Sequence, residues 1–202
     1  MQNSHIFQYF KTHAGYARTR DLYKLGVSSR RIKQLVEDGS IQRIRHGLYK
    51  LTDYPWHEYS DLVDICKAKP QAIIALASAL EFHGLTTFMP SEITIALPKN
   101  YTYDSFKENY PPVKVFYFPE RFYNTGCELT QLKNGEIRIY SKEKTICDMF
   151  RYRKTFGEDI ALEGLNNYLS TKDANIQVLQ EFAARCDVKT IVTPYIKAMV
   201  AR

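Results

Sequence analysis

The pattern that most constrains this chain lies in its first 51 residues, where three short helical patterns precede a basic hairpin pattern. Apolar residues repeat at helical spacing over residues 4–12. Two more helical patterns follow, one between Thr19 and Gly26 and one that ends at Gly39. Glycine is typical of a helix C-terminus, because it readily adopts the left-handed conformation found there. Three short helices followed by a hairpin predict a winged helix-turn-helix.

The third of these helices is predicted to begin at a serine cap and to expose a basic face. Ser28 or Ser29 can accept a hydrogen bond from an N–H of the first turn. Ile32, Leu35 and Val36 form its buried stripe, at positions i, i+3 and i+4. The side chains that then point outward are those of Arg30, Arg31, Lys33, Gln34 and Glu37.

Residues 41–51 alternate in polarity as a β-hairpin does, with His46 and Gly47 as a two-residue turn. Glycine takes a positive φ freely, and histidine tolerates it better than most residues. The expected cross-strand pairs are Arg45 with Leu48, Ile44 with Tyr49, and Arg43 with Lys50. The expected apolar face consists of Ile44, Tyr49 and Leu51, and the expected cationic face of Arg43, Arg45 and Lys50.

The net charge of +6 is carried entirely by this N-terminal segment. Residues 1–51 contain ten lysines and arginines against three aspartates and glutamates, whereas the rest of the chain contains eighteen against nineteen. A positive field focused on one segment predicts a polyanionic partner for that segment. This uneven distribution of charge argues against a uniformly basic surface such as that of a ribosomal protein.

These features together predict that the first segment binds double-stranded DNA. The third helix could enter the major groove, and the cations of the hairpin could neutralise phosphates or reach a minor groove. The serines at the helix start could bond a phosphate alongside backbone N–H groups. The competing interpretations are a basic helix pair without a ligand and a winged helix that binds protein. The candidate DNA-binding residues are Ser28, Ser29, Arg30, Arg31, Lys33, Gln34, Arg43, Arg45 and Lys50.

The basic N-terminal segment ends near residues 52–56, where we place a boundary between domains 1–52 and 56–202. Residues 57–68 and 71–83 are predicted as helices, the second buried on most sides. Strands followed by helices predict an α+β domain with a small mixed or antiparallel sheet. The predicted strands are 93–97, 113–118, 127–132 and 136–140, with helices from Ser141 onward.

The sequence contains none of the common catalytic motifs, such as GxSxG, a P-loop, GxGxxG or HExxH. Its five histidines and four cysteines show no spacing typical of metal ligands. A DNA-reading, metal-dependent nuclease is the enzymatic alternative, with Glu92 and Glu136 at strand starts. Arg138 stands where such a nuclease would use lysine. We therefore expect a protein that is not an enzyme, with no catalytic residue, no cofactor and no metal.

No membrane-spanning or secretory segment is expected. The longest apolar run, 72–77, is far shorter than the ~20 residues that span a bilayer. The first residues lack the charged and apolar regions of a signal peptide. The four widely spaced cysteines fit a reducing compartment, so we expect a cytoplasmic protein without a membrane partner.

Three segments of the chain carry a resemblance to a known family. They are Arg45-His-Gly-Leu-Tyr49, Ala77-Ser-Ala-Leu-Glu-Phe-His-Gly-Leu85 and Tyr140-Ser-Lys-Glu-Lys-Thr-Ile-Cys-Asp-Met-Phe150. In these segments the chain resembles the AbiEi-type antitoxins and related transcriptional regulators of type IV (abortive-infection) toxin–antitoxin systems. The resemblance covers nearly the whole chain, and it implies a bacterial protein with an N-terminal winged helix and a larger antitoxin domain.

The resemblance implies that the winged helix binds an inverted-repeat operator and represses its own operon. Two copies on the repeat are expected from symmetry. It also implies that the second domain counters a nucleotidyltransferase-like toxin that acts on nucleotides or RNA. A solitary winged-helix transcription factor, whose second domain binds a ligand or a protein, is the alternative. Carried over from the family, the DNA-binding residues are Arg30, Arg31, Lys33, Arg43 and Arg45.

Overall fold

The protein was examined as a computed structural model, which describes residues 4–101 and 111–200. These residues form two compact units. The first contains the chain up to Pro70 together with the short segment 131–136, and the second contains the other described residues.

The first unit combines short helices with a three-stranded sheet of strand order β1-β3-β2. The three predicted helices and the hairpin are present. Strand β1 was not predicted, because three residues are too few to show an alternating pattern. In chain order the elements are α1 (Ser4–Thr12), β1 (Tyr16–Arg18), α2 (Thr19–Lys24), α3 (Ser29–Glu37), β2 (Ile41–Arg45), β3 (Leu48–Leu51) and α4 (Ser60–Ala68).

A single apolar cluster joins the first three helices to the sheet. Phe10 of α1, Leu22 of α2, Leu35 of α3 and Ile41 of β2 are all buried in it. Apolar burial of this kind is the main stabilising contribution in a small domain. The orientation of α3, and therefore of its exposed face, is fixed by this cluster.

Helix α3 begins and ends as predicted. Ser28 is its N-cap, and the hydroxyl oxygen accepts a hydrogen bond from the N–H of Arg31 at 3.3 Å. Gly39 follows the helix at a φ of +76°, a conformation that favours glycine over residues with a Cβ. Both ends are set by local sequence signals, which explains why the sequence predicts them well.

The hairpin β2–β3, which we call the wing, turns at His46 and Gly47 as predicted. Gly47 has a φ of +77°, and its carbonyl accepts a hydrogen bond from the N–H of Thr19 at 3.0 Å. Arg45 pairs with Leu48 across the turn, which confirms that part of the register. The wing is therefore tied to the start of α2.

Beyond the turn, the predicted register is wrong by one residue. Arg43 pairs with Tyr49 instead of Lys50, because the register shifts between Arg43 and Arg45. Such a bulge places an additional residue, Ile44, in one strand only. Since side chains alternate along a strand, Lys50 lies on the opposite face of the wing from Arg43. The predicted cationic face of Arg43, Arg45 and Lys50 is therefore wrong.

The second unit is built on a mixed five-stranded sheet of order β6-β5-β4-β8-β7, followed by helices. Strand β4 is antiparallel to β5 and parallel to β8. The predicted α+β class is confirmed. The elements are β4 (Ile73–Ile74), α5 (Leu76–Phe82), β5 (Ile93–Pro98), β6 (Val113–Phe118), α6 (Glu120–Tyr123), β7 (Cys127–Leu132), β8 (Gly135–Tyr140), α7 (Lys142–Arg151), α8 (Arg153–Phe156), α9 (Glu158–Leu169), α10 (Ile176–Arg185) and α11 (Lys189–Val200).

The prediction of one helix over residues 71–83 is wrong. Ile73–Ile74 form the central strand β4, and only Leu76–Phe82 are helical. Both segments are almost completely buried. When nearly all residues of a segment are apolar, the sequence shows no periodicity that distinguishes a buried strand from a buried helix.

A buried ion pair lies inside the second unit. Lys144 and Asp148, one turn apart on α7, have fully buried side chains, and the ammonium donates to the carboxylate. The Nζ atom of Lys144 also lies 4.3 Å from the ring centre of Tyr140 and 4.9 Å from that of Phe118. Burial raises the pKa of Asp148, and the charge of Lys144 opposes that rise. Either charge alone would be costly in this environment.

We expect Asp148→Ala to lower the free energy of unfolding by about 3–5 kcal/mol, because it leaves the Lys144 ammonium buried without its counter-charge. The double variant Lys144→Met/Asp148→Leu makes both positions apolar and should recover most of that loss. Denaturant unfolding followed by far-ultraviolet circular dichroism measures both effects.

Lys142→Met is the matched control, because Lys142 pairs at 2.6 Å with Asp173, whose side chain is 65% exposed. Loss of such a surface pair should cost less than about 1 kcal/mol. Equal destabilisation by the single and the double variant would contradict the proposed role of the buried pair.

Candidate nucleic-acid interface

Helix α3 presents an exposed polar face on the first unit. Arg30, Lys33 and Gln34 are exposed, and the guanidinium of half-buried Arg31 donates to the Gln34 side chain at 3.1 Å. Lys33 lies 3.6 Å from Glu37 in an exposed i,i+4 pair, which is weak in water. These cations and amides are therefore accessible to a partner.

Ser28 and Ser29 are both exposed at the start of α3. The Ser28 oxygen accepts the capping hydrogen bond, and its O–H can still donate to an anion. Hydroxyl and N–H donors together make this helix start suitable for a phosphate oxygen.

Of the three wing cations predicted to face outward, Arg43 alone is exposed. Its Nη2 atom lies 2.9 Å from Nδ1 of the exposed His46 at the turn. This contact holds the guanidinium at the tip of the wing, on the side of the sheet that carries Tyr49.

Lys50 occupies a buried position, and its predicted place on an exposed cationic face of the wing is wrong. Lys50 is 7% exposed, and its ammonium donates to both carboxylate oxygens of Asp64, at 3.0 and 3.1 Å. The hydroxyl of Tyr16 donates to the same carboxylate. Burial raises the pKa of Asp64, while Tyr16 and Lys50 oppose that rise. Helix α4 therefore covers the face of the wing that carries Lys50.

Two arginines attach the same face to the end of α4. The guanidinium of Arg45 donates to the carbonyl of Ala68, and that of Arg18 donates to the carbonyl of Lys67 at 3.1 Å. The last carbonyls of a helix lack partners within the helix and carry partial negative charge, so cations stabilise them. Arg45, predicted to contact DNA, is thus directed at α4.

The position of α4 also bears on the predicted domain boundary. The boundary at 52–56 lies inside the first unit, which extends to Pro70. Residues 131–136 belong to the same unit, where the buried Asn134 amide donates to the Ser60 hydroxyl at 2.8 Å. Contacts between residues distant in sequence decide this grouping into compact units, and the division into domains 1–52 and 56–202 stays a prediction.

A cleft of about 180 Å³ lies between α2, α3 and the wing. Its floor is apolar, and its rim carries hydroxyl and cationic groups. It brings together three predicted residues, Ser29, Lys33 and Arg43, while the other predicted residues of α3 do not line it. The lining residues are Thr19, Tyr23, Ser29, Ile32, Lys33, Val36, Arg43 and Tyr49.

Two of the rim residues, Thr19 and Tyr23, were not predicted as site residues. In the sequence, Thr19 marks only the start of a helical pattern, and it is the first residue of α2. Tyr23 is 53% exposed, next to the buried Leu22. The signal that could have identified Tyr23 was its position on the outer side of α2, away from the apolar side that packs into the core.

Some kinds of site are not found in the parts of the chain that the structure describes. Within residues 4–101 and 111–200, no three or more His, Cys, Asp or Glu side chains are grouped so as to hold a metal ion. None of the helices there has the length and apolar character needed to cross a membrane. The four cysteines are free thiols.

The first unit has the architecture of a winged helix-turn-helix, and an α+β unit follows it. Residues 5–52 match a family described as "Transcriptional regulator, AbiEi antitoxin". The resemblance inferred from sequence motifs is thereby confirmed over these residues. The match covers the three N-terminal helices and the wing, and it ends before α4.

A solved structure with a similar fold is that of the RV2827C protein from Mycobacterium tuberculosis. The two chains are 13% identical, with a TM-score of 0.60 over 99% of this chain and 81% of the other. At this level of identity the likeness shows the fold alone. No curated protein matches the chain.

We expect Asp64→Ala to destabilise the first unit by about 3–5 kcal/mol, because it leaves Lys50 and Tyr16 buried without their acceptor. Amide hydrogen exchange of β2 and β3 should speed up in this variant. The double variant Lys50→Met/Asp64→Leu should restore most of the protection. Asp53→Ala, which removes an exposed carboxylate after the wing, is the control. Unchanged exchange in Asp64→Ala would show that the wing does not depend on α4.

Proposed function

We propose that this protein is a DNA-binding transcriptional regulator of antitoxin type whose first unit binds an inverted-repeat operator in double-stranded DNA. The observation that carries the proposal is the exposed cationic surface formed by α3 and Arg43 around one cleft. The excess positive charge of residues 1–51 and the family match over residues 5–52 support it. Such a regulator would act in the bacterial cytoplasm, without a catalytic step.

In this proposal α3 enters the major groove, which is wide enough for a helix. Arginine can bind guanine with two hydrogen bonds, and glutamine can bind adenine in the same way. The Arg31 guanidinium donates to the Gln34 side chain, so the two groups lie side by side on the outer face of α3. Lys33 and Arg43, which flank the cleft, are suited to phosphates and would set the register without reading sequence.

For the second unit we propose the role of countering a nucleotidyltransferase-like toxin. A protein-facing surface is favoured by the loop after α5, which exposes Met89 (85%) and Phe88 (38%). The carboxylate of Glu163 accepts hydrogen bonds from the Thr86 hydroxyl and from the N–H and hydroxyl of Thr87, at 2.7–2.9 Å. The loop is thus ordered while its apolar side chains face solvent, which lowers the entropic cost of binding a partner.

The DNA-binding role predicts that removing four accessible charges strongly weakens operator binding. In Arg30→Gln/Arg31→Gln/Lys33→Gln/Arg43→Gln we expect at least a 100-fold loss of affinity for DNA from upstream of the gene, measured by mobility shift. The slope of log K against log salt should fall by about 0.9 for each phosphate that the variant no longer neutralises. The fold should persist, because none of the four side chains is buried.

The control for this variant removes the same charge from exposed positions of the second unit, in Lys154→Gln/Lys172→Gln/Lys189→Gln/Lys197→Gln. This control should bind DNA as the wild type does. Equal affinity of the two quadruple variants would show that net charge, and not the surface of α3 and Arg43, determines binding.

The antitoxin role is tested by the gene next to this one in its operon. We expect its product to arrest growth when expressed alone and to be tolerated with the wild-type chain. Phe88→Ser/Met89→Glu should protect poorly, whereas the DNA-binding quadruple variant should protect fully. A neighbour without toxicity would favour the solitary transcription factor instead.

A further inference from the structure

We infer that the cleft between α2, α3 and the wing binds one deoxyribose-phosphate unit of the DNA backbone, and that Tyr23 contacts that phosphate. The inference rests on the proposed function and deepens it, since it names the ligand of one part of the interface. It also adds Tyr23 to the residues that bind DNA.

The rim of the cleft has the chemistry that a phosphate requires. It carries the hydroxyl groups of Thr19, Tyr23 and Ser29 and two cations, Lys33 and Arg43, and the half-buried Tyr49 adds a fourth hydroxyl to the lining of the cleft. Phosphate oxygens accept hydrogen bonds from both kinds of donor. No acidic residue lines the cleft in the described part of the chain, although Glu37, outside the lining, lies 3.6 Å from the rim cation Lys33.

The floor of the cleft has the chemistry that a deoxyribose requires. Ile32 is buried, and Val36 and Tyr49 are half-buried beneath the opening. The C–H face of a deoxyribose can pack on such a surface, since both are apolar. The 2′-hydroxyl of a ribose would lose its hydration against the same floor, which is unfavourable without a hydrogen bond.

The walls of the cleft are held in place before any ligand binds. The N–H of Thr19 at the start of α2 donates to the carbonyl of Gly47 in the wing turn, at 3.0 Å. Helices α2 and α3 share the apolar cluster through Leu22 and Leu35. A site whose walls are fixed loses less entropy on binding.

Tyr23 has the largest exposed hydroxyl-bearing side chain on this rim, and its hydroxyl bonds no residue that the structure describes. Its side chain lies at the surface, with 53% of the residue exposed. A phenol is a neutral donor, so it can bond a phosphate without adding charge. Its contribution to affinity should therefore be independent of salt, unlike that of Lys33 or Arg43.

The test compares Tyr23→Phe with Lys33→Gln on the same operator duplex over a range of salt concentrations. We expect Tyr23→Phe to lose about tenfold in affinity, as for a hydrogen bond to a charged group, with an unchanged salt slope. Lys33→Gln should instead reduce the slope by about 0.9. Tyr117→Phe, at a 44% exposed tyrosine of β6, is the matched control and should bind as wild type.

A second measurement locates the contact on the DNA. Single methylphosphonates, placed in turn along the duplex, should reveal one phosphate whose neutralisation weakens the wild type more than it weakens Tyr23→Phe, which keeps the rim cations Lys33 and Arg43. A single ribonucleotide at that position should also weaken the wild type.

The outcomes separate the two proposals. If the wild type binds the operator and Tyr23→Phe binds equally well, or shows the same sensitivity to every methylphosphonate, the inference about the cleft is overturned while the proposed function stands. If the wild type does not bind duplex DNA at all, the proposed function itself fails.

Discussion

The carboxylate of Asp64 determines how the first unit can meet DNA. It accepts hydrogen bonds from Lys50 of β3 and from Tyr16 of β1, so α4 is fixed on one face of the wing. A charge withdrawn from water must be paired, because its desolvation is otherwise uncompensated. This interaction makes one face of the wing structural and leaves the other, with Arg43, to a partner.

The same constraint divides the positive charge of the N-terminal segment into two sets. Arg18, Arg45 and Lys50 are bound to α4, through carbonyl oxygens or through Asp64. A cation held in this way releases no counterion from DNA, whereas an exposed cation that meets a phosphate does. In the proposed function, the salt dependence of DNA binding should thus reflect the cations of α3 and Arg43. The number of basic residues in the N-terminal segment would overestimate that salt dependence.

Features set by neighbouring residues were predictable from the sequence. The serine cap and terminal glycine of α3, the turn at His46 and Gly47, and the strands 113–118 and 127–132 all match the structure. The bulge at Ile44 and the burial of Lys50 were not predictable in this way. The burial of Lys50 depends on α4, whose Asp64 is 14 residues from Lys50 in the chain, and no local pattern reports that interaction.

The candidate site was likewise predictable where neighbouring residues determine it, and not where distant contacts do. Its α3 residues were found because a short amphipathic helix reveals its outer face directly. The cleft was missed because it needs α2, α3 and the wing at once, and only the folded unit brings Tyr23 and Arg43 to one rim.

The motif from Tyr140 to Phe150, which carried much of the resemblance, has a structural explanation in the second unit. Ser141 caps α7, and Lys144 and Asp148 form its buried ion pair. These residues hold the core and do not face a ligand. A motif of this kind identifies a fold. The fold is also what the chain shares with the RV2827C protein at 13% identity. Under the proposed function, the choice of DNA sequence depends instead on exposed residues of α3, which contribute nothing to the buried core.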